Sequence, residues 1–182
     1  MNYNNKWLIK KFERGEQLKY IFFWGHTASP DGRVTQSFFS QWWVAPFEVD
    51  GIIYTTAEHW MMAEKARLFG DDATLKKILA AQSPAAAKNQ GRLVADFDPV
   101  TWDAHKADIV VNGNLHKFGQ HVDLKEFLLK TGDRILVEAS PVDRIWGIGM
   151  AKDNEHIENP LKWRGENLLG YALMTVREQL KT

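Results

Sequence analysis

The strongest constraint on this chain is the punctuation of its middle third. Between residues 56 and 91 three helix starts stand close together: Thr56, Asp71-Asp72 and Ser83-Pro84. Thr, Asp and Ser side chains accept from the N–H groups that a helix's first turn leaves unbonded. Proline at the first helical position gives up a donor that has no partner there anyway. Gly70 stops the first of these segments, because glycine takes the left-handed ending at least cost, and the third ends at Gly91. Helix follows helix with no strand between them. Strand and helix therefore do not alternate as a doubly wound sheet requires, and the pattern predicts an α+β, helix-rich single domain with a few short strands.

The remaining elements fit around that block. Ile21-Phe22-Phe23-Trp24 ahead of Gly25 reads as a strand, and Pro30-Asp31-Gly32 as a turn. Residues 38–43 are aromatic-rich, and Pro46 argues against a long helix there. Asp50-Gly51 between short β-forming runs predicts a hairpin over residues 47–54. A helical stretch starts at residues 99–102 and carries Ile109, Val110, Leu115 and Phe118, and a second covers residues 124–130. Residues 134–139 read as a strand, and residues 167–180 as a final helix. Residues 1–19 are charged and expected as a peripheral segment, with the domain proper over 20–182.

Composition excludes several classes. Lys plus Arg and Asp plus Glu both number 23, so bulk charge does not hold this chain on nucleic acid, although a local basic rim such as Lys88, Arg92 and Arg164 is compatible. With no cysteine, disulfides, thiolate catalysis and cysteine zinc sites are out. No apolar run reaches the roughly 18 residues of a membrane span, and residues 1–15 lack the apolar stretch of a secretory signal, so a cytoplasmic protein without a membrane partner is expected. Nothing sets an oligomeric state. The eight tryptophans are more than a core of this size needs, which leaves some for a ligand.

The densest chemistry is Thr56-Ala57-Glu58-His59-Trp60 through Lys65. Seven residues apart on a helix, Glu58 and Lys65 share a face about 10.5 Å apart along the axis. Helical side chains lean toward the N-terminus, so the lysine can reach back toward the carboxylate. A carboxylate and a lysine over one pocket suit acid–base or Schiff-base chemistry. The competing expectation is a solvated pair on an exposed stripe. The six histidines form no metal-binding spacing, so no metal is expected. Trp146-Gly147-Ile148-Gly149 lacks the third glycine and following helix of a nucleotide loop, but its glycines can let backbone approach a ligand with Trp146 as a wall. Asp143, in a loop after Pro141, reads as a turn former. Trp102 and Trp60 are core residues or pocket walls. Arg164 and Asn167, at the start of the last helix, are an anion site or an ordinary cap with a solvated arginine.

Taken in order, these pieces carry a resemblance. Phe39-Ser40-Gln41-Trp42, Val49-Asp50-Gly51, the residue 56–65 segment, Ser83-Pro84 through Gly91-Arg92, Trp102, Trp146-Gly147-Ile148-Gly149 and Asn167-Leu168-Leu169-Gly170-Tyr171 through Arg177 resemble the NADAR, or YbiA-like, family over residues 20–180. The resemblance implies an N-glycosidase of ribosyl N-glycosides that needs no cofactor. Its implied partner is a small-molecule N-riboside, such as the phosphoribosylamino-pyrimidine intermediates of riboflavin synthesis, or ADP-ribosylated guanine in a nucleotide or nucleic acid. It further implies Glu58 as acid/base, Lys65 as the lysine that captures the opened sugar, and Asp143 as a second acid. Trp60, Trp102, Trp146, Gly147, Gly149, Arg164 and Asn167 are the expected substrate contacts. At Ile148 an aspartate stands in some relatives, and no role passes to that position. The alternative is a non-catalytic module that binds ADP-ribose or a related nucleotide.

Overall fold

The computed structural model describes residues 2–27 and 35–181, so the turn expected at Pro30-Asp31-Gly32 lies outside the described residues. In chain order the elements are α1 (Asn5–Glu13), β1 (Tyr20–Phe23), β2 (Phe47–Val49), β3 (Ile52–Tyr54), α2 (Ala57–Leu68), α3 (Asp72–Leu79), α4 (Pro84–Gly91), α5 (Pro99–Gln120), α6 (Val122–Leu129), β4 (Ile135–Glu138) and α7 (Leu168–Leu180), with 3₁₀ turns at Gln36–Phe39 and Pro160–Lys162. This is the helix-rich α+β class the punctuation predicts. The chain's contacts gather into two compact units, residues 1–40 with 122–182 and residues 41–121.

In the unit of residues 41–121, Thr56, Asp71 and Ser83 all cap as expected, accepting from the N–H of His59, Thr74 and Ala86. The β2–β3 hairpin pairs Phe47 with Tyr54 and Val49 with Ile52. Asp50 and Gly51 at its tip have φ of 51° and 77°, the left-handed pair that a two-residue turn needs to match strand twist. Helix α2 packs against α3, α4, α5 and β3. It is buried on nearly every side, from Ala57 through Ala63 and again at Ala66. Two glycines make that possible. A Cβ at Gly91 would stand 2.1 Å from Met62 Sδ, and one at Gly113 would stand 2.3 Å from the Trp60 ring.

In the unit of residues 1–40 and 122–182, β1 and β4 pair in parallel, Tyr20 beside Ile135 and Phe23 beside Glu138. The partners lie far apart in sequence, as parallel strands must. Helix α7 lies on β4, and α6 on α7. The close approach runs through Gly170, where a Cβ would sit 2.1 Å from the Leu136 carbonyl oxygen. Arg177 of α7 is 2% exposed. One of its nitrogens donates to Thr131 Oγ1 and to the Arg134 carbonyl, each at 2.8 Å, which pins the turn between α6 and β4. Residues 1–19, expected as peripheral, contain a docked helix that the sequence pattern did not reveal. Asn4 caps α1. Leu8 is fully buried. Asn5 donates to the Gly165 carbonyl and accepts from the Tyr171 hydroxyl.

Gly170→Ala is expected to push α7 off β4 and lower the urea midpoint by an amount equivalent to about 1–3 kcal/mol or more. Gly119, exposed near the end of α5 with open space around it, is the control. Gly119→Ala is expected to stabilise by about 0.5–1 kcal/mol in the same measurement.

Candidate active site

Helix α2 carries both Glu58 and Lys65, and its first turn and its last are both held from outside. Glu58 stands in the first turn, near the positive end of the helix dipole, and is 2% exposed. Its backbone N–H donates to the Gln41 carbonyl at 3.0 Å. The Gln41 carboxamide in turn accepts from Asn114 Nδ2 at 2.8 Å. Next to Glu58, His59 is a satisfied core histidine: Thr56 Oγ1 meets Nδ1 at 2.8 Å and the Ala81 carbonyl meets Nε2 at 3.1 Å. Burial lowers its pKa, so the ring is neutral, and these bonds assign the proton to Nε2.

Two turns on, Lys65 is half-buried. Its Nζ donates to the Gly91 carbonyl at 2.8 Å and lies 4.1 Å from the Phe97 ring centroid and 5.7 Å from that of Trp102. Burial pulls its pKa below the ordinary 10.5, since apolar surroundings disfavour the ammonium. The carboxylate is buried and the lysine is lodged among aromatic rings, so the pair is not a solvated stripe.

The tryptophans divide. Trp102 stands beside Lys65, as a pocket wall would. Trp60 does not. It is 8% exposed, its indole N–H is committed to the Ile109 carbonyl at 2.8 Å, and it packs on Phe47, Tyr54 and His116. The structure makes Trp60 a core residue, because the gap left by Gly113 admits the whole ring. Phe97 was not anticipated. A lone Phe ahead of a helix start gives no signal of its own, and only the fold brings it to Lys65.

The remaining candidates belong to the other unit. Asp143 Oδ1 accepts from the N–H groups of Ile145 and Trp146 at 2.9 and 2.8 Å, so this carboxylate forms the turn that presents Trp146. Gly147 and Gly149 allow backbone to approach backbone. A Cβ at Gly147 would stand 2.9 Å from the Glu138 carbonyl oxygen, and Gly149, at φ 62°, is pressed by the Arg144 and Arg164 side chains. Ile148 is fully buried, with its N–H on the Glu138 carbonyl at 3.0 Å. Arg164 is exposed.

Asn167 is the clearest correction. It is fully buried in the left-handed conformation at φ 55°, and its side chain caps no helix N–H. It accepts from the Glu138 N–H and donates to the Leu136 carbonyl, both at 3.0 Å. These are the groups on the edge of β4 turned away from β1. The carboxamide oxygen and one of its N–H groups are engaged on the strand, and the side chain is buried away from solvent.

Among the described residues no group of three His, Cys, Asp or Glu side chains is placed to hold a metal ion, and no helix is long and apolar enough to cross a membrane.

A buried carboxylate and a half-buried lysine thus stand two turns apart on one helix of a helix-rich α+β fold. The NADAR domain model matches residues 22–181, across both units, and the chain belongs to that family. It is 44% identical over 169 residues to N-glycosidase R617 of Acanthamoeba polyphaga mimivirus, covering 90% of this chain and 98% of that protein. It is 34% identical over 142 residues to N-glycosidase YbiA of Escherichia coli (strain K12), covering 78% of this chain and 80% of that one. The NMR structure of the E. coli protein YbiA superposes with a TM-score of 0.71 at 31% identity, covering 91% of this chain and 86% of that chain.

Asn167→Asp keeps the shape and the left-handed preference but removes the donor to the Leu136 carbonyl. It is expected to cost about 1–3 kcal/mol of stability in urea unfolding, the penalty for leaving a buried acceptor unmet.

Proposed function

We propose that this chain is an N-glycosidase that hydrolyses a ribosyl N-glycosidic bond, with Glu58 as general acid and Lys65 as the amine that captures the sugar. The observation that carries the reading is Lys65 Nζ, its charge disfavoured by burial, held at the Gly91 carbonyl two turns along the helix from a buried carboxylate. The family's named N-glycosidases support the same reaction class.

Breaking the bond builds positive charge on the sugar, and a nearby carboxylate stabilises it. The departing base nitrogen takes its proton from Glu58 and leaves with the bonding electron pair. The neutral Lys65 amine then bonds to C1 of the sugar. Ring opening returns a proton to the ring oxygen and leaves an imine, which water hydrolyses to free lysine and the released sugar, ADP-ribose or ribose 5-phosphate according to the substrate. No step is routed through Asp143, whose carboxylate shapes a turn. Trp102 is the aromatic surface for sugar or base beside Lys65. The substrate is ADP-ribosylated guanine or a phosphoribosylamino-pyrimidine, both of which present a ribosyl C1 bonded to nitrogen, and the protein acts in the cytoplasm.

Glu58→Gln and Lys65→Ala are each expected to lower turnover of the true substrate by about 10²–10⁴-fold, the typical worth of a general acid or activated group. Borohydride added during turnover is expected to trap an adduct on Lys65. Wild-type rates from both variants on ADP-ribosyl-guanine and on the pyrimidine intermediate would sink the mechanism. Saturable ADP-ribose binding by calorimetry with no product formed would favour the binding module instead.

Since attack needs the neutral amine, kcat/KM is expected to rise with pH as Lys65 loses its proton. The midpoint should lie below 10.5, because burial favours the uncharged form. A pH profile read with the free enzyme checks the sign.

A further inference from the structure

We propose that Phe97 is a positioning residue of this site, its ring face holding the Lys65 amine in place, and that the loop carrying Phe97 is built to keep the ring there. The proposal rests on the catalytic role given to Lys65. Phe97 is itself 43% exposed, so core burial does not account for its place, and three observations point to a role. Lys65 Nζ lies 4.1 Å from the ring centroid, and Phe69, just past the end of α2, supports Phe97 edge-on at 5.4 Å. The residue before it, Asp96, has φ of 51°, a strained conformation for a non-glycine that persists only where its surroundings enforce it.

The enforcement is visible on both sides. Asp71 caps α3 with one oxygen, accepting from the Thr74 N–H, and holds the loop with the other, accepting from the Ala95 N–H, each at 2.9 Å. These bonds hold its carboxyl down at about 2. On the far side Asp98 caps α5 through the Thr101 N–H at 2.7 Å. Phe97 is thus clamped between two carboxylates that bind backbone, and the clamp aims its ring at the amine.

A ring face attracts an ammonium and has no comparable hold on a neutral amine. Phe97 and the Gly91 carbonyl therefore fix where the lysine stands while it is charged, so that on deprotonation the amine starts from one set position beside the site. The charged groups around Lys65 are engaged elsewhere or stand in solvent. Glu64 pairs with Arg67, Asp103 with Lys106, and Arg92 with Asn89, while Lys88 lies over Trp42. Asp72, Lys76 and Lys77 of α3, Asp96 in the loop and Asp108 of α5 are exposed. Glu58 is two turns back and His59 is neutral.

The test reads Lys65 directly. Protein carrying lysine labelled with ¹³C at Cε is titrated by NMR, with Lys65→Arg assigning the resonance, alongside turnover of the substrate. Phe97→Leu is expected to lower the Lys65 titration midpoint by about half a pH unit, the worth of an exposed cation–ring contact. Read on the high-pH plateau, where the amine is neutral in both proteins, it is also expected to reduce kcat about tenfold with KM nearly unchanged, as misplacement of a reacting group does. Phe97→Trp should restore both. Asp71→Asn, which keeps the cap on α3 and loses the acceptor for Ala95, should move both in the same direction as Phe97→Leu. An unshifted titration in Phe97→Leu, or a shifted one with wild-type kcat, overturns the proposal. Failure of the underlying mechanism is seen separately, as wild-type turnover by Lys65→Ala.

Discussion

Burial of α2 on almost every side is the constraint on which the second unit depends. A helix in such a place ordinarily carries apolar residues all round. This one carries Glu58, His59 and Lys65, so each polar group has to be met or have its charge state adjusted. His59 is met by Thr56 and Ala81 and stays neutral. Lys65 is met by the Gly91 carbonyl and two aromatic rings, and its pKa falls. Gly91 serves twice, its missing Cβ making room for Met62 and its carbonyl receiving the amine. The packing that buries the helix and the contact that holds its lysine therefore share the same residue. A change that loosens one disturbs the other.

The other unit solves a different problem. Its two-stranded parallel sheet has a β4 edge that no strand covers, and buried strand edges need partners. Asn167 supplies them in place of a strand, its carboxamide spanning the Leu136 carbonyl and the Glu138 N–H, while Ile148 takes the next carbonyl along. Gly147, Gly165 and Gly170 permit the close backbone approaches that bring this about. A Cβ at Gly165 would stand 2.3 Å from the Gly147 carbonyl oxygen. Gly147 answers to backbone meeting backbone along β4, and Gly149 to a left-handed φ of 62° crowded by Arg144 and Arg164.

What was legible in the sequence was what acts over a few residues. A cap bonds a donor two or three positions ahead, so Thr56, Asp71, Ser83 and Gly70 announce helix limits without knowledge of anything else. The Asp50-Gly51 turn is equally local. The seven-residue spacing that puts Glu58 and Lys65 on one helical face follows from helix geometry alone. The α1 helix has a local cap in Asn4, but its docking is not written locally, since Gly165 and Tyr171 lie at the other end of the chain.

By itself, then, the sequence determined the helices of the middle third, the α+β class and the placing of a carboxylate and a lysine two turns apart. Tertiary structure decided what those groups are worth. The bond from Lys65 reaches 26 residues along the chain, and that from Trp60 reaches 49. Such contacts turned Trp60 into core, gave Lys65 its aromatic surroundings in Phe97 and Trp102, and converted Asn167 from a candidate ligand contact into part of a strand edge. Burial and desolvation are sums over neighbours distant in sequence, and a local pattern carries no record of them.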